Sequence, residues 1–509
     1  MNDAPDGQDE VLAFLADPAS HGGHAVKRID THAASVFLAG DRALKIKRAV
    51  RFPFLDFSTP DKRKAACEAE LAVNTPYAPE IYRRVVAITR QTNGSLAIGG
   101  NGMPVEWALE MRRFDEQRTL DHLDDIDEAL ADALGRAVAA AHARAKRVEA
   151  EPWITALGSY IDEHASAFRE RPQIFAPAEV DAFARDSRRV YQHIVPLLRE
   201  RGRRGLIRRI HGDLHLGNIV LIDRKPVLFD AIEFSDIVAS GDVLYDLAFL
   251  LMDLLERGLA GAANIVFNRY LNEAHRNQDL DGLRALPFFL TMRAAIRAMV
   301  TAARMDRAAP ADRPAIADAA RAYFDFAKRA IVPVPPKFVA VGGLSGTGKT
   351  RLARTLAPEI GPMPGAVIVR SDVERKALFG VGETEELTAE AYTPAANERV
   401  YELSAERARH VIAAGHAAIV DAVFARPNER KAMAAEATGC GVVLRGLFLT
   451  AELGVRLSRV GGRTNDASDA NQDVVRAQEN YDLGGLDWSQ IDASGTPEET
   501  AARARAALD

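Results

Sequence analysis

Eight residues, Gly343-Leu-Ser-Gly-Thr-Gly-Lys-Thr350, constrain the fold of this chain more than any other stretch. They fit the spacing Gly-x-x-x-x-Gly-Lys-Ser/Thr. The apolar run Phe338-Val-Ala-Val341 precedes them, and Arg351-Leu-Ala-Arg-Thr-Leu356, which reads as a helix, follows. A buried strand must therefore turn sharply into a helix N-terminus. There Gly343, Ser345, Gly346, Thr347 and Gly348 let backbone N–H groups close around phosphate oxygens. Lys349 is placed to reach the β- and γ-phosphates of a nucleotide, and Thr350 to hold Mg²⁺.

The surrounding pattern repeats that geometry. Val367-Ile-Val-Arg-Ser-Asp372 and Ala418-Ile-Val-Asp421 are two more apolar runs, each ending in an acid. In an open parallel sheet the strand C-termini share one crevice, so Asp372 and Asp421 are expected to face the same phosphates. Arg456, Arg459 and Arg463 precede Asp466-Ala-Ser-Asp469, the order of a basic lid, although each arginine alone also fits a solvated helix face. This set resembles small P-loop kinases of the gluconate kinase, zeta-toxin and polynucleotide kinase type. The resemblance implies that Asp372 activates an acceptor hydroxyl and Arg375 orients the acceptor. It further implies that Asp421 supports Mg²⁺ through water, and that a lid arginine such as Arg463 stabilises the transferring group.

A second constellation lies upstream. His211, Asp213, His215 and Asn218 fall within eight residues, ahead of the apolar run 219–222, and a further run Val227-Leu-Phe229 ends at Asp230. Such a hairpin gathers carboxylates and an amide around one point. An Asp there can accept a hydroxyl proton, and an Asn with a second Asp can hold Mg²⁺ on nucleotide phosphates. Asp213 and Asn218 have the spacing of the protein-kinase catalytic loop. The form His-Gly-Asp-Leu-His-x-x-Asn resembles the aminoglycoside phosphotransferases and choline kinase-like enzymes. The resemblance implies Asp213 as catalytic base and Asn218 and Asp230 as metal ligands. It also implies that an acid in Gly241-Asp-Val-Leu-Tyr-Asp-Leu-Ala248 buttresses the loop. Lys45, on the predicted third strand, is the candidate to pair the α- and β-phosphates, with Lys47 on the same strand face as its rival. Glu68 is the preferred carboxylate partner and Glu70 the alternative. The glycine-rich loop of protein kinases is missing, its place being taken by Asp30-Thr-His-Ala-Ala-Ser35. Met111 suits either an adenine pocket or the core.

Strand-like patterns over 27–46 and 81–111 flank a helical stretch at 61–74. From about 119 the chain turns Ala-, Leu- and Arg-rich, with helices expected at 126–149, 178–200, 242–258 and 286–307. Three prolines fall within residues 333–336, which neither a helix nor a central strand accepts. The expected architecture is an α+β bilobal protein kinase-like domain followed by an α/β P-loop domain with a parallel sheet. The first covers 1–332, with a small β-rich lobe at about 20–115 and a helical lobe at about 116–332. The connector is 333–336 and the second domain 337–509.

Composition narrows the partners. The 509 residues carry 65 basic and 71 acidic side chains, a net charge of −6, which argues against a nucleic-acid or membrane coat. The most basic run, 201–209, reads as a solvated loop. The two cysteines, Cys67 and Cys440, are too few for a disulfide framework and are expected to be buried, in keeping with a cytoplasmic protein. Neither the acidic N-terminus nor any apolar run reads as a signal or a membrane span. The function expected is therefore a bifunctional transfer of the ATP γ-phosphate, with Mg²⁺, to hydroxyl groups of small molecules. The alternatives are a nucleic-acid 5′-hydroxyl kinase in the second domain, or one domain that only binds ATP and regulates the other. The acceptors and the oligomeric state are not written in the sequence.

Overall fold

The computed structural model describes residues 8–508 apart from 53–54, 276 and 463–465. Contacts divide the chain into two compact units. One runs up to Tyr160 and includes Leu198–Asp253; the other joins Ile161–Leu197 to the chain from Leu254 onward.

An antiparallel six-stranded sheet organises the first unit. Its order is Val26–Asp30, Ala34–Ala39, Arg42–Lys47, Met103–Arg112, Tyr82–Arg90, Leu96–Ile98. The hairpin of Ala34–Ala39 with Arg42–Lys47 closes at Gly40-Asp41: Ala39 pairs with Arg42, and Gly40 takes φ 57°, the left-handed conformation a two-residue turn needs. Alternation along Arg42–Lys47 sends Leu44 and Ile46 into an apolar cluster with Phe37, Val86, Ile88 and helix Gln8–Ala16. Lys45 and Lys47 consequently point to the other face, against helix Pro60–Asn74. Thr59 caps that helix and Pro60 starts it. Its buried residues are Arg63, Cys67, Glu70 and Asn74, a stripe at helical spacing.

The hairpin Ile219–Ile222 with Lys225–Leu228 turns through Asp223 and Arg224, both at positive φ. A short antiparallel pair, Ile207–Arg209 with Ser240–Asp242, precedes and follows it. Within the basic run beside this pair Arg203 is exposed, as a solvated stretch would have it, but Arg201 and Arg208 are not. Arg201 and Asp242 have side chains 0% exposed and form a two-bond ion pair, at 2.5 and 2.7 Å. Arg208 is buried and donates to the carbonyls of His142 and Ala143 at the end of helix Glu128–Arg144.

The second unit contains a five-stranded, all-parallel sheet in the order Val367–Arg370, Ala418–Asp421, Phe338–Gly343, Leu444–Thr450, Ser489–Asp492. Val339, Val341, Leu352, Ile368, Ile419, Leu447, Leu449 and Ile491 share its core. No helix or strand occupies 333–337. The edge strand Val367–Arg370 is covered by helix Ala260–Ala274, which the sequence expectation counted with the first domain. Asn268 acts there as a one-residue neighbour strand: its amide accepts from Ile368 N at 2.7 Å and donates to Ala366 O at 3.1 Å. Asn264 donates to the carbonyls of Pro364 and Ala366. Exposed edge groups that invite pairing with another chain are thereby satisfied.

Helices Ala150–Arg169, Ala260–Ala274 and Arg313–Ala330 were not among those expected. The stretch Gly282–Asp306 is long and apolar enough to cross a membrane, yet 72% of its apolar window is buried within the fold. Its Thr291 hydroxyl bonds Ala327 O on helix Arg313–Ala330, as suits a core helix.

Candidate active sites

The first site begins with a ladder of alternating charge. Lys45 Nζ lies 2.7 Å from Glu70 Oε1 and 2.7 Å from Asp230 Oδ1. Lys47 Nζ lies 2.6 Å from Glu70 Oε2 and 2.5 Å from Glu233 Oε1. Burial works against the charge on Glu70, but the two ammonium groups outweigh it and hold the carboxyl well below its usual range. Burial likewise opposes the charge on Lys45, and Asp230 and Glu70 overcome it, raising Lys45 well above the ordinary lysine value. Glu233 is pushed upward, chiefly by burial. The preference for Glu68 is corrected here. Its side chain is 57% exposed and sits beside Lys64, because Arg63, Cys67, Glu70 and Asn74 form the inward stripe and residue 68 falls off it.

Three polar anchors hold the loop that carries Asp213. The carboxylate of Asp246, fully buried, accepts from His211 N at 2.9 Å and Gly212 N at 3.0 Å, with His142 Nε2 3.1 Å away. This is the buttress expected of Gly241-Asp-Val-Leu-Tyr-Asp246. Asp253, seven residues on and so on the same helix face, accepts from Leu216 N at 2.9 Å. His211 Nε2–H donates to Phe229 O at 2.9 Å and so ties the loop to the segment that leads from strand Lys225–Leu228 to Asp230.

Within the loop, Asn218 Nδ2 donates to Asp213 O at 2.9 Å and to Asp213 Oδ2 at 3.0 Å. His215 accepts from Gly217 N through Nδ1, which leaves Nε2 to carry its proton 3.5 Å from Asp213 Oδ2. Asp230 takes φ 61°, and its backbone N–H donates to the Tyr82 hydroxyl at 3.0 Å. Asn74 clamps Ala231 from both sides, at 2.7 and 3.1 Å. The strained backbone at Asp230 is therefore held by neighbours on two elements. Asp230 remains 44% exposed and Asp213 41%, so both carboxylates can meet a solute. Met111 packs beside Tyr82, Leu109, Val220 and Val227.

The second site is the strand–loop–helix turn. Gly346 and Gly348 take φ 85° and 93°, and a side chain at Gly346 would meet the Arg456 carbonyl at 2.6 Å. Helix Lys349–Leu356 starts immediately after Gly348. Lys349 Nζ donates to Leu344 O at 3.2 Å, folded over the loop built from Gly343, Ser345, Gly346, Thr347 and Gly348. Thr350 Oγ1 donates to Asp421 Oδ2 at 2.6 Å. Arg370 Nε lies 3.8 Å from the same Asp421 oxygen, and Arg370 Nη2 lies 2.7 Å from Asp466. Asp372 stands two residues beyond Arg370. Burial pushes its pKa upward and Asp421 adds to this, while Arg370, Lys349 and a hydrogen bond with Ser468 oppose. A carboxyl tuned upward is suited to accept a proton near neutral pH.

Two arginines differ from their expected roles. Arg456 is buried and donates to Ser345 O at 2.9 Å while pairing with Glu479, so it braces the phosphate loop. Arg375 donates to Ala391 O at 2.5 Å and lies over the Tyr392 ring at 5.0 Å, tying down a turn. Arg459 contacts Thr347 O at 3.4 Å and Gly495 O at 3.2 Å. Arg463 lies outside the described residues. Sequence reasoning missed Gln478, whose carboxamide oxygen accepts from Ser345 N at 2.7 Å, and no local signal marks it. It also missed Lys47–Glu233, although Lys45 and Lys47 were placed on one strand face.

Residues 59–286 match the phosphotransferase enzyme family, and residues 338–481 match the family described as an AAA domain. Uncharacterized proteins of Mycobacterium tuberculosis and Mycobacterium bovis are 29% identical over 499 residues, covering 93% of this chain and 94% of theirs. A choline/ethanolamine kinase family protein from Mesorhizobium loti is 18% identical with a TM-score of 0.38, covering 64% of this chain and 98% of its own. A gluconokinase from Sinorhizobium meliloti is 20% identical with a TM-score of 0.25, covering 34% of this chain and 91% of its own.

Proposed function

Because the chain is a phosphotransferase in which a phosphotransferase-family region precedes a P-loop kinase-type domain, we propose that it is bifunctional. Each site moves the γ-phosphate of ATP to a hydroxyl of a small molecule. The observation that carries this reading is the pairing of Lys45 with both Glu70 and Asp230 at 2.7 Å, beside a loop that presents Asp213 and Asn218.

At the first site Asp213 accepts the proton of the incoming hydroxyl as its oxygen bonds to phosphorus and the bond to the ADP oxygen breaks. Lys45, kept charged by its two carboxylate partners, neutralises the nucleotide phosphates, while Glu70 holds Lys45 and Asp246 holds the loop that carries Asp213. At the second site Asp372 takes the same role, with Lys349 on the phosphates. The donor sets suit a hard cation: carboxylate and amide oxygens of Asp230 and Asn218 in one, the hydroxyl of Thr350 beside the carboxylate of Asp421 in the other. Mg²⁺ held there would draw charge from the β- and γ-phosphates. Positioning and charge neutralisation account for the rate, with no covalent intermediate required.

The test is an ADP-release screen over sugars, amino alcohols, aminoglycosides and a 5′-hydroxyl oligonucleotide, run with wild type, Asp213→Ala and Asp372→Ala. Each variant should lose a different small-molecule activity. Loss of all activity in one variant and none in the other would leave a single working site, and phosphorylation of the oligonucleotide alone would favour a nucleic-acid kinase.

A further inference from the structure

Helix Ala260–Ala274 lies within the stretch that matches the phosphotransferase family, yet its polar side chains are built into the second unit. Asn264 and Asn268 fasten it to the edge strand that ends at Arg370, as described above. Arg269, on the same helix, has a side chain 10% exposed and pairs with Glu383; Glu273 of its own helix is 3.6 Å away. Glu383 Oε1 is in turn 3.7 Å from Arg370 Nη1. Arg370 is buried, reaches Asp466 at 2.7 Å and Asp421 at 3.8 Å, and Asp421 accepts the Thr350 hydroxyl at 2.6 Å. A line of alternating charges therefore runs from helix Ala260–Ala274 to the threonine of the phosphate loop.

We propose that Arg269 is a positioning residue for phosphoryl transfer at the second site, acting through Glu383 to fix Arg370 against Asp421 and Asp466. The inference rests on the reading of that site as a working phosphotransferase. Glu383 divides its charge between two guanidinium groups. Removing Arg269 takes away a cation that holds the Glu383 carboxylate in place, so it can shift toward Arg370 and draw it away from Asp421, and the acid that orients Thr350 loses its own fixed neighbour. Misplacement of a supporting charge by even about 1 Å can cost on the order of 10²-fold in rate. Nucleotide affinity, set by the loop itself, should change little.

The experiment uses the full-length chain in an Asp213→Ala background, with MgATP hydrolysis as the readout of the second site, water taking the acceptor's place. Arg269→Met should lower kcat about tenfold with the ATP dissociation constant within about twofold, and Arg269→Lys should recover part of the loss. The reversed pair, Arg269→Glu with Glu383→Arg, should not regain kcat, since an arginine at 383 repels Arg370 and a glutamate at 269 meets Glu273. Recovery of kcat would show a merely structural ion pair and overturn the proposal. Should the reversed pair not fold, Glu383→Gln decides: reduced kcat with unchanged nucleotide affinity supports positioning, and wild-type kcat overturns it. Lys349→Ala separates the two levels. If it leaves hydrolysis intact, the reading of the site has failed; if it abolishes hydrolysis while Arg269→Met matches wild type, only this inference has.

Discussion

Replacing Asp242 by Asn should destabilise the first unit by about 3–5 kcal/mol, the cost of removing one member of a buried ion pair. The geometry justifies the upper part of that range. Both side chains of the Arg201–Asp242 pair are 0% exposed, and two hydrogen bonds of 2.5 and 2.7 Å join them. Charges roughly 4 Å apart at an effective dielectric of about 20 interact by about 4 kcal/mol. Asparagine keeps an oxygen for Leu244 N, which Asp242 Oδ1 accepts at 2.9 Å, so the loss isolates the charge.

Trp153 lies against this region, with its ring 3.2 Å from the Cβ position of Gly241. In a Trp488→Phe background the two remaining tryptophans, Trp107 and Trp153, both belong to the first unit and report its unfolding in urea. The midpoint should fall by about 1–2.5 M for a slope of roughly 2–3 kcal/mol/M. Adding Arg201→Met should then restore most of the loss, since removing both partners of a buried pair is far cheaper than removing one. A loss under about 1 kcal/mol for Asp242→Asn, or single effects that simply add in the double variant, would refute the reasoning.

Three further outcomes are expected. Glu70→Gln should cut turnover at the first site at least about tenfold, whereas exposed Glu68→Gln should leave turnover unchanged and stability within about 0.5 kcal/mol; equal effects would contradict the ladder. At the second site the acid limb of the rate profile should lie above the ordinary aspartate range, because Asp372 is held protonated to higher pH by burial. Arg370→Met removes a charge that lowers the Asp372 value, so that limb should move to still higher pH, and a downward move would be inconsistent with the geometry. Finally, a thiol reagent at pH 8 should label Cys440 and spare Cys67, which burial pushes up to about 12, with both reacting in urea; rapid native labelling of Cys67 would show that its site opens.

The two motif regions were legible because their chemistry is packed into short stretches whose spacing dictates geometry. Gly343 to Thr350 leaves the backbone little choice, and five residues from Asp213 to Asn218 suffice to bring amide and carboxylate together. The Glu68 preference failed for a local reason. Ala65, Ala66, Cys67 and Ala69 are small on every side, so the sequence alone does not show which face of helix Pro60–Asn74 turns inward. Arg201 failed for a distant one, since its partner Asp242 lies 41 residues away and a run of arginines looks solvated. Cys440, expected to be buried, is only partly so, at the end of helix Pro427–Gly439. Helix Ala260–Ala274 illustrates the general limit: nothing in its sequence announces that Asn264, Asn268 and Arg269 satisfy groups about 100 residues downstream.

Counting nucleotides tests the account most directly. Titration of the full-length chain with a non-hydrolysable MgATP analogue should give two bound molecules per chain, with Lys45→Ala and Lys349→Ala each abolishing a different one. A stoichiometry of one or none in the intact protein, or two sites that survive both substitutions, would contradict it.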